Sequence, residues 1–66
     1  MELAKIIRRA AYPWRLEDDT DINPEVGTIV QFERVGCWAA TYFPGYPARC
    51  TIYIGGFNLY FRELLE

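Results

Sequence analysis

Hydrophobic and polar residues alternate along four stretches of the chain, at residues 27–34, 37–43, 49–54 and 57–62. Alternation with a period of two is typical of β-strands that bury one face. Gly55-Gly56 separates the last two stretches and is a strong signal for a two-residue hairpin turn, because glycine readily adopts positive φ. Counting outward from this turn places Ile52 opposite Leu59 on one apolar face. The pattern therefore predicts a hairpin at this point.

The same register extends backwards through a four-residue loop at residues 44–47 and places Thr41 opposite Cys50. A two-residue turn at Val35-Gly36 continues the apolar face into the first strand, whereas a three-residue loop would turn that strand over. We therefore expect an antiparallel four-stranded meander. The core residues predicted from this register are Phe32, Ile52, Ile54, Leu59 and Phe61.

The N-terminal segment follows a different period. Its apolar residues recur at the i, i+3, i+4, i+7, i+8 spacing of an amphipathic helix: Leu3, Ile6, Ile7, Ala10 and Ala11. We expect a helix over residues 2–11 that ends before Pro13 and covers the apolar face of the sheet. The predicted fold class is α+β, an N-terminal amphipathic helix packed on the four-stranded meander. The alternative is an all-β small five-stranded barrel whose first strand is residues 3–11.

The C-terminal segment fits both periods, because Phe57, Tyr60 and Phe61 are also spaced as on a helix. We prefer a strand to about Arg62, since the glycine turn and the register are independent signals and a helix leaves Leu59 on the polar side. A helical turn is expected at residues 63–66.

Length and composition predict one compact domain over residues 1–66. Hydrophobic residues make up 52% of the chain and aromatic residues 17%, a composition typical of folded proteins. The net charge of −2 has the wrong sign for bulk attraction to nucleic acid. No apolar run reaches the roughly 18 residues of a membrane span, and no signal-peptide pattern is present, so we expect a cytoplasmic protein without membrane contact.

The catalytic repertoire of the chain is small. Histidine and serine are both absent, which removes the usual general base and the usual nucleophile pairs, so the sequence predicts no enzymatic activity and no cofactor. Cys37 and Cys50 both fall on the predicted apolar face, where we expect unpaired, unreactive core thiols.

An acidic loop precedes the first strand of the meander; its carboxylates are Glu17, Asp18, Asp19 and Asp21. The run resembles the start of a calcium loop, but Pro24 occupies the position of the turn glycine and Val30 that of the bidentate glutamate. We therefore expect no metal site, and a solvated loop that keeps the protein soluble or offers charge to a basic partner.

The polar face of the sheet is rich in aromatic residues and arginine, which dominate the binding energy of protein interfaces. The candidate partner-binding residues are Trp38, Tyr42, Arg49, Tyr53, Tyr60 and Arg62. The alternative interpretation of these rings is cross-strand pairing that only stabilises the sheet.

Two classes of function follow. The first is a small non-catalytic protein-binding module that acts on a larger protein as a stoichiometric inhibitor, adaptor or accessory subunit, for example a phage- or plasmid-type inhibitor of a host defence enzyme. The second is a single-stranded nucleic-acid-binding protein whose rings stack bases. The unpaired edge strands also allow a homodimer.

Overall fold

The computed structural model describes residues 1–64. Its elements are β1 (Glu2–Ile6), β2 (Trp14–Arg15), β3 (Asp21–Ile22), β4 (Ile29–Val35), β5 (Trp38–Tyr42), β6 (Cys50–Tyr53), α1 (Ile54–Tyr60) and β7 (Phe61–Glu63). Five strands form one antiparallel sheet in the order β6-β5-β4-β1-β7, and β2 pairs with β3 in a separate hairpin. None of the helical residues in this range forms a segment long and apolar enough to cross a membrane.

The predicted N-terminal helix is wrong, because residues 2–6 form a central strand. β1 pairs with β4 on one side and with β7 on the other. Ala4 and Ile6 point into the core, whereas Leu3 and Ile7 lie on the exposed side. A ten-residue helix is marginally stable alone, and here two strand neighbours satisfy the backbone of β1 on both sides. The mostly β architecture replaces the predicted α+β fold.

The predicted hairpin at Gly55-Gly56 is also wrong, because both glycines belong to α1. The helix carries the chain from β6 to the opposite edge of the sheet, where β7 pairs with β1. Phe57 and Phe61 are spaced by one helical turn and their rings stack at 4.5 Å with an interplanar angle of 3°. Helical spacing therefore describes residues 57–60, and strand geometry begins at Phe61. Of the helical turn expected at residues 63–66, Glu63 is a strand residue and residues 65–66 lie outside the described range.

The sheet is also not the closed barrel of the alternative prediction. Its edges are β6 and β7, and within residues 1–64 no ladder joins them. The helix α1, rather than a strand pairing, spans the gap between the two edges.

The central hairpins follow the predicted apolar face. Thr41 lies opposite Cys50 as predicted. The turn between β4 and β5 is Gly36-Cys37 rather than Val35-Gly36, so the strands are paired two residues further along and the same face stays inward. Gly36 has a φ of +61°, at the first central position, where type II′ hairpin turns require glycine.

The core lies between the sheet, α1 and the β2–β3 hairpin. Phe32, Ile52 and Phe61 are buried in it as predicted. Ile54 packs partly buried against it, whereas Leu59 is exposed on the outer side of α1. Further core residues are Ala4, Ile6, Leu16, Ile22, Val30, Ala39, Phe43, Cys50 and Phe57. The prediction that both cysteines are buried is half wrong, because Cys50 is buried but Cys37 is exposed in the turn.

Candidate protein-binding surface

The outer face of β4, β5 and β6 carries an exposed cluster of large side chains, Val35, Trp38 and Tyr53, which we call the aromatic patch. Trp38 lies opposite Val35 on β4 and opposite Tyr53 on β6. The rings of Trp38 and Tyr53 meet edge to face, with centroids 5.7 Å apart and an interplanar angle of 79°. The three side chains remain 55%, 46% and 56% exposed, respectively. A rigid apolar surface of this kind is typical of binding sites rather than of scattered surface residues.

A shallow groove of about 150 Å³ runs beside Trp38. Its floor is Ala40, which is buried, and its walls are Val35, Trp38, Arg49 and Thr51. The small side chain of Ala40 leaves room between larger neighbours. The groove therefore has the size for one apolar side chain of a docked segment.

A hydrogen-bonded rim borders the groove. The Glu17 carboxylate accepts bonds from Arg49 Nε at 2.9 Å and from Thr51 Oγ1 at 2.8 Å through the same oxygen, Oε2. The bonds from Thr51 and Arg49 lower the pKa of Glu17. The Tyr42 hydroxyl and then the Glu17 carboxylate raise the pKa of Arg49. At neutral pH the rim is therefore an ion pair of the Glu17 carboxylate and the Arg49 guanidinium, and the two charges cancel locally.

β6 is an edge strand, and half of its backbone groups point away from the sheet. The Ile54 N–H donates to the Cys37 carbonyl at 2.9 Å, and these two residues lie opposite each other in the β5–β6 register. Hydrogen-bonded pairs alternate along an antiparallel ladder. Ile52 therefore bonds to β5, whereas Thr51 and Tyr53 direct their backbone groups outward.

The outward edge is covered only at its start. The Glu17 N–H donates to the Arg49 carbonyl at 2.8 Å, and the chain then turns away from β6. The Thr51 N–H and carbonyl and the Tyr53 N–H therefore point away from β5, and within residues 1–64 no loop or turn backbone group bonds to them. An open stretch of strand edge thus lies directly beside the aromatic patch.

The six predicted binding residues are not brought together in one place. Trp38, Tyr42, Arg49 and Tyr53 share the outer face of β5 and β6, with Tyr42 half-buried beside Arg49. The remaining two lie elsewhere. Tyr60 belongs to α1 and packs against Trp14, and Arg62 lies on β7 at the opposite edge of the sheet.

The acidic loop forms the tight turn between β2 and β3, with Asp19 at a φ of +68°. Asp18 Oδ1 accepts the Thr20 N–H at 3.1 Å, and Asp21 accepts Arg15 Nε at 3.0 Å. The Thr20 contacts lower the pKa of Asp18, and the Arg15 contact lowers that of Asp21. Glu17 belongs to the rim described above. Most of the loop's carboxylates therefore have partners within the chain.

Sequence reasoning missed one member of the surface, Val35, and one contact, that of Glu17 with Arg49. Val35 was placed in a turn, although its β-branched side chain beside a Gly36-Cys37 turn is compatible with a strand end. The contact of Glu17 with Arg49 joins residues 32 positions apart, and no local pattern indicates it.

No cluster of three or more histidine, cysteine, aspartate or glutamate side chains that could hold a metal ion occurs in residues 1–64. Comparisons with protein-family models, with curated proteins and with solved structures give no match to this chain.

Proposed function

We propose that the protein is a non-catalytic binding module that docks on a larger protein partner through the aromatic patch and the open edge of β6. It would act as a stoichiometric inhibitor, adaptor or accessory subunit. The observation that carries the proposal is the exposed Trp38–Tyr53 pair beside the unpaired backbone groups of Thr51. The free state of both cysteines suits a reducing compartment, so a cytoplasmic location is part of the proposal.

The chemistry of the aromatic patch and of the open β6 edge favours binding of an extended segment of the partner. Outward N–H and carbonyl groups of an edge strand pair with an added strand, and the neighbouring side chains supply specificity. Trp38 and Tyr53 would then pack against alternate side chains of that segment. The groove over Ala40 would take one apolar side chain.

The electrostatics of this face favour a protein over a nucleic acid. Arg49, the cation beside the groove, is already bonded to Glu17. Glu33 lies opposite Ala40 on the same face and adds negative charge. A phosphate at Arg49 would have to displace Glu17 and would approach a second carboxylate, whereas an uncharged strand would not.

Affinity capture from the source organism, followed by titration with the purified partner, tests the proposal. Trp38→Ala and Tyr53→Ala should each weaken binding about 30-fold, since truncation of a central aromatic anchor costs about 2 kcal/mol. Leu59→Ala is the matched control, because Leu59 is similarly exposed but lies on α1. Full binding by Trp38→Ala, with its fold intact by circular dichroism, would contradict the proposal.

A second pair of variants isolates the strand edge. Tyr53 has a φ of −59°, which proline also adopts, and the register of β5 and β6 directs its N–H away from the sheet. Tyr53→Pro and Tyr53→Ala both remove the ring, but only proline also removes the N–H. We expect Tyr53→Pro to bind about fivefold more weakly than Tyr53→Ala, the equivalent of about 1 kcal/mol for one hydrogen bond. Equal affinities would show that no strand is added at this edge.

A further inference from the structure

The cationic side chains of the protein fall into two groups. Three of the seven are bonded to an acidic side chain: Arg15 to Asp21, Arg34 to Glu63 and Arg49 to Glu17. The other four form no salt bridge with any residue in the range 1–64. These four, which we call the basic cluster, are Lys5, Arg8, Arg9 and Arg62.

Two members of the basic cluster face each other across a strand pair. Lys5 on β1 lies directly opposite Arg62 on β7, and the neighbour of Lys5 on the other side is Ile29. Like charges directly opposite in an antiparallel pair repel each other and destabilise the sheet. An anion bound between Lys5 and Arg62 would attract both cations, so that net attraction would replace the repulsion between them.

The other two members follow closely along the chain. The Ile7 N–H donates to the Tyr60 carbonyl at 2.8 Å, which fixes the end of β1 against the end of α1. Arg8 and Arg9 come directly after this contact and are exposed. Arg8 lies in a bend three residues after Lys5, and three residues of chain span at most about 10 Å, so the positive charges add at short range.

An aromatic cleft of about 330 Å³ begins at the residue after Arg9; its lining residues are Ala10, Ala11, Tyr12, Pro13, Trp14 and Tyr60. Trp14 and Tyr60 meet edge to face at 5.4 Å and form a rigid wall. Tyr12 is 82% exposed at the mouth of the cleft. An exposed ring beside unpaired cations is the combination that binds single-stranded nucleic acid, since rings stack on bases and cations hold phosphates.

We propose that the basic cluster and the aromatic cleft form a binding site for single-stranded nucleic acid. Lys5 and Arg62 hold one phosphate between them, Arg8 and Arg9 hold the phosphates that follow, and a base stacks on Tyr12. The site lies at the β7 edge of the sheet, across from the aromatic patch, and does not depend on the proposed protein partner. Stacking and phosphate contacts carry no base-specific hydrogen bonds, so binding is independent of sequence.

Fluorescence anisotropy with a labelled single-stranded oligonucleotide at 50 and 200 mM salt tests this site. Three phosphate contacts on a single strand, one shared by Lys5 and Arg62 and one each at Arg8 and Arg9, give a slope of about −2.1 in log affinity against log salt, which is about a 20-fold loss over this range. Lys5→Gln/Arg62→Gln removes one of these three contacts, so the slope should fall to about −1.4 and the loss to about sevenfold. Arg15→Gln, which removes a cation already bonded to Asp21, is the charge control and should leave the slope unchanged.

A second arm tests the aromatic part and separates this site from the aromatic patch. Tyr12→Ala should weaken binding of the single strand at both salt concentrations, by about fivefold or more for one lost base stack. Trp38→Ala should leave it unchanged. Three results would each overturn the site. The first is no oligonucleotide binding, and the second is binding that Lys5→Gln/Arg62→Gln does not affect. The third is a duplex that binds as tightly as the single strand, together with unchanged affinity in Tyr12→Ala.

Discussion

The structure forms the helix α1 where the sequence pattern predicts a hairpin and a strand. Two alanine substitutions test this helical assignment. Phe57 is 0% exposed and lies 4.5 Å from Phe61 and 4.8 Å from Phe32, measured between ring centroids. Phe57→Ala should cost about 3–5 kcal/mol. A chain of this length has a total stability of about 3–10 kcal/mol, so this variant should be largely unfolded or close to it.

Leu59 is the discriminating position. A strand over residues 57–62 places Leu59 in the core opposite Ile52, where truncation would cost about 2–5 kcal/mol. In α1 its side chain is 57% exposed, and Leu59→Ala should change the stability by no more than about 0.5 kcal/mol.

Thermal unfolding followed by far-ultraviolet circular dichroism distinguishes the two assignments. At about 4–8 °C per kcal/mol for a domain of this size, Leu59→Ala should move the Tm by no more than about 4 °C, whereas Phe57→Ala should abolish the cooperative transition or lower its Tm by more than about 10 °C. A fall of about 10 °C or more in Leu59→Ala would refute the helical assignment.

Three further predictions concern the thiols, the aromatic patch and acid stability. In the native protein, a thiol reagent should label exposed Cys37 quickly and Cys50 slowly, because burial raises the pKa of Cys50; equal rates would contradict this. An alanine methyl at Gly55 would lie 2.9 Å from the ring of Tyr53. An alanine methyl at Gly56 would have no atom within 4 Å. Gly55→Ala should therefore weaken partner binding several-fold and Gly56→Ala should not, as titration with the partner would show. Because the folded pKa of Glu17 lies below its usual 4.5, its contribution to stability is complete above that pH and is lost as the pH falls further. Urea melts at pH 7 and pH 3 should show a smaller acid loss in Glu17→Gln, and an equal loss would count against the rim.

The central strands were predictable because their signals are local. Pro44, Gly45 and Pro47 mark the loop between β5 and β6, and the apolar alternation on either side fixes which residues face inward. Trp38 and Tyr53 could be placed on the outer face from that alternation alone, and the pairing of the two strands follows from the loop length.

The two ends of the chain were not predictable in the same way, because their short apolar patterns fit two periods. Residues 2–6 form a strand since β4 and β7 provide partners on both sides, a long-range effect that the local pattern does not contain. Gly55-Gly56 is compatible with a hairpin, but a hairpin would leave β1 without its partner β7. Because residues 57–62 were predicted as a strand, Tyr60 was assigned to the binding surface, but its ring packs against Trp14.

Amide hydrogen exchange in the complex tests the central claim most directly. The register of β5 and β6 directs the Thr51 and Tyr53 amides away from the sheet, so both should exchange quickly in the free protein. Resolved by nuclear magnetic resonance, these two amides should become strongly protected when the partner binds, while the Ile52 amide, already bonded to β5, is slow in both states. Unchanged exchange at Thr51 and Tyr53, with new protection confined to β7 or to the β2–β3 hairpin, would contradict docking at the aromatic patch.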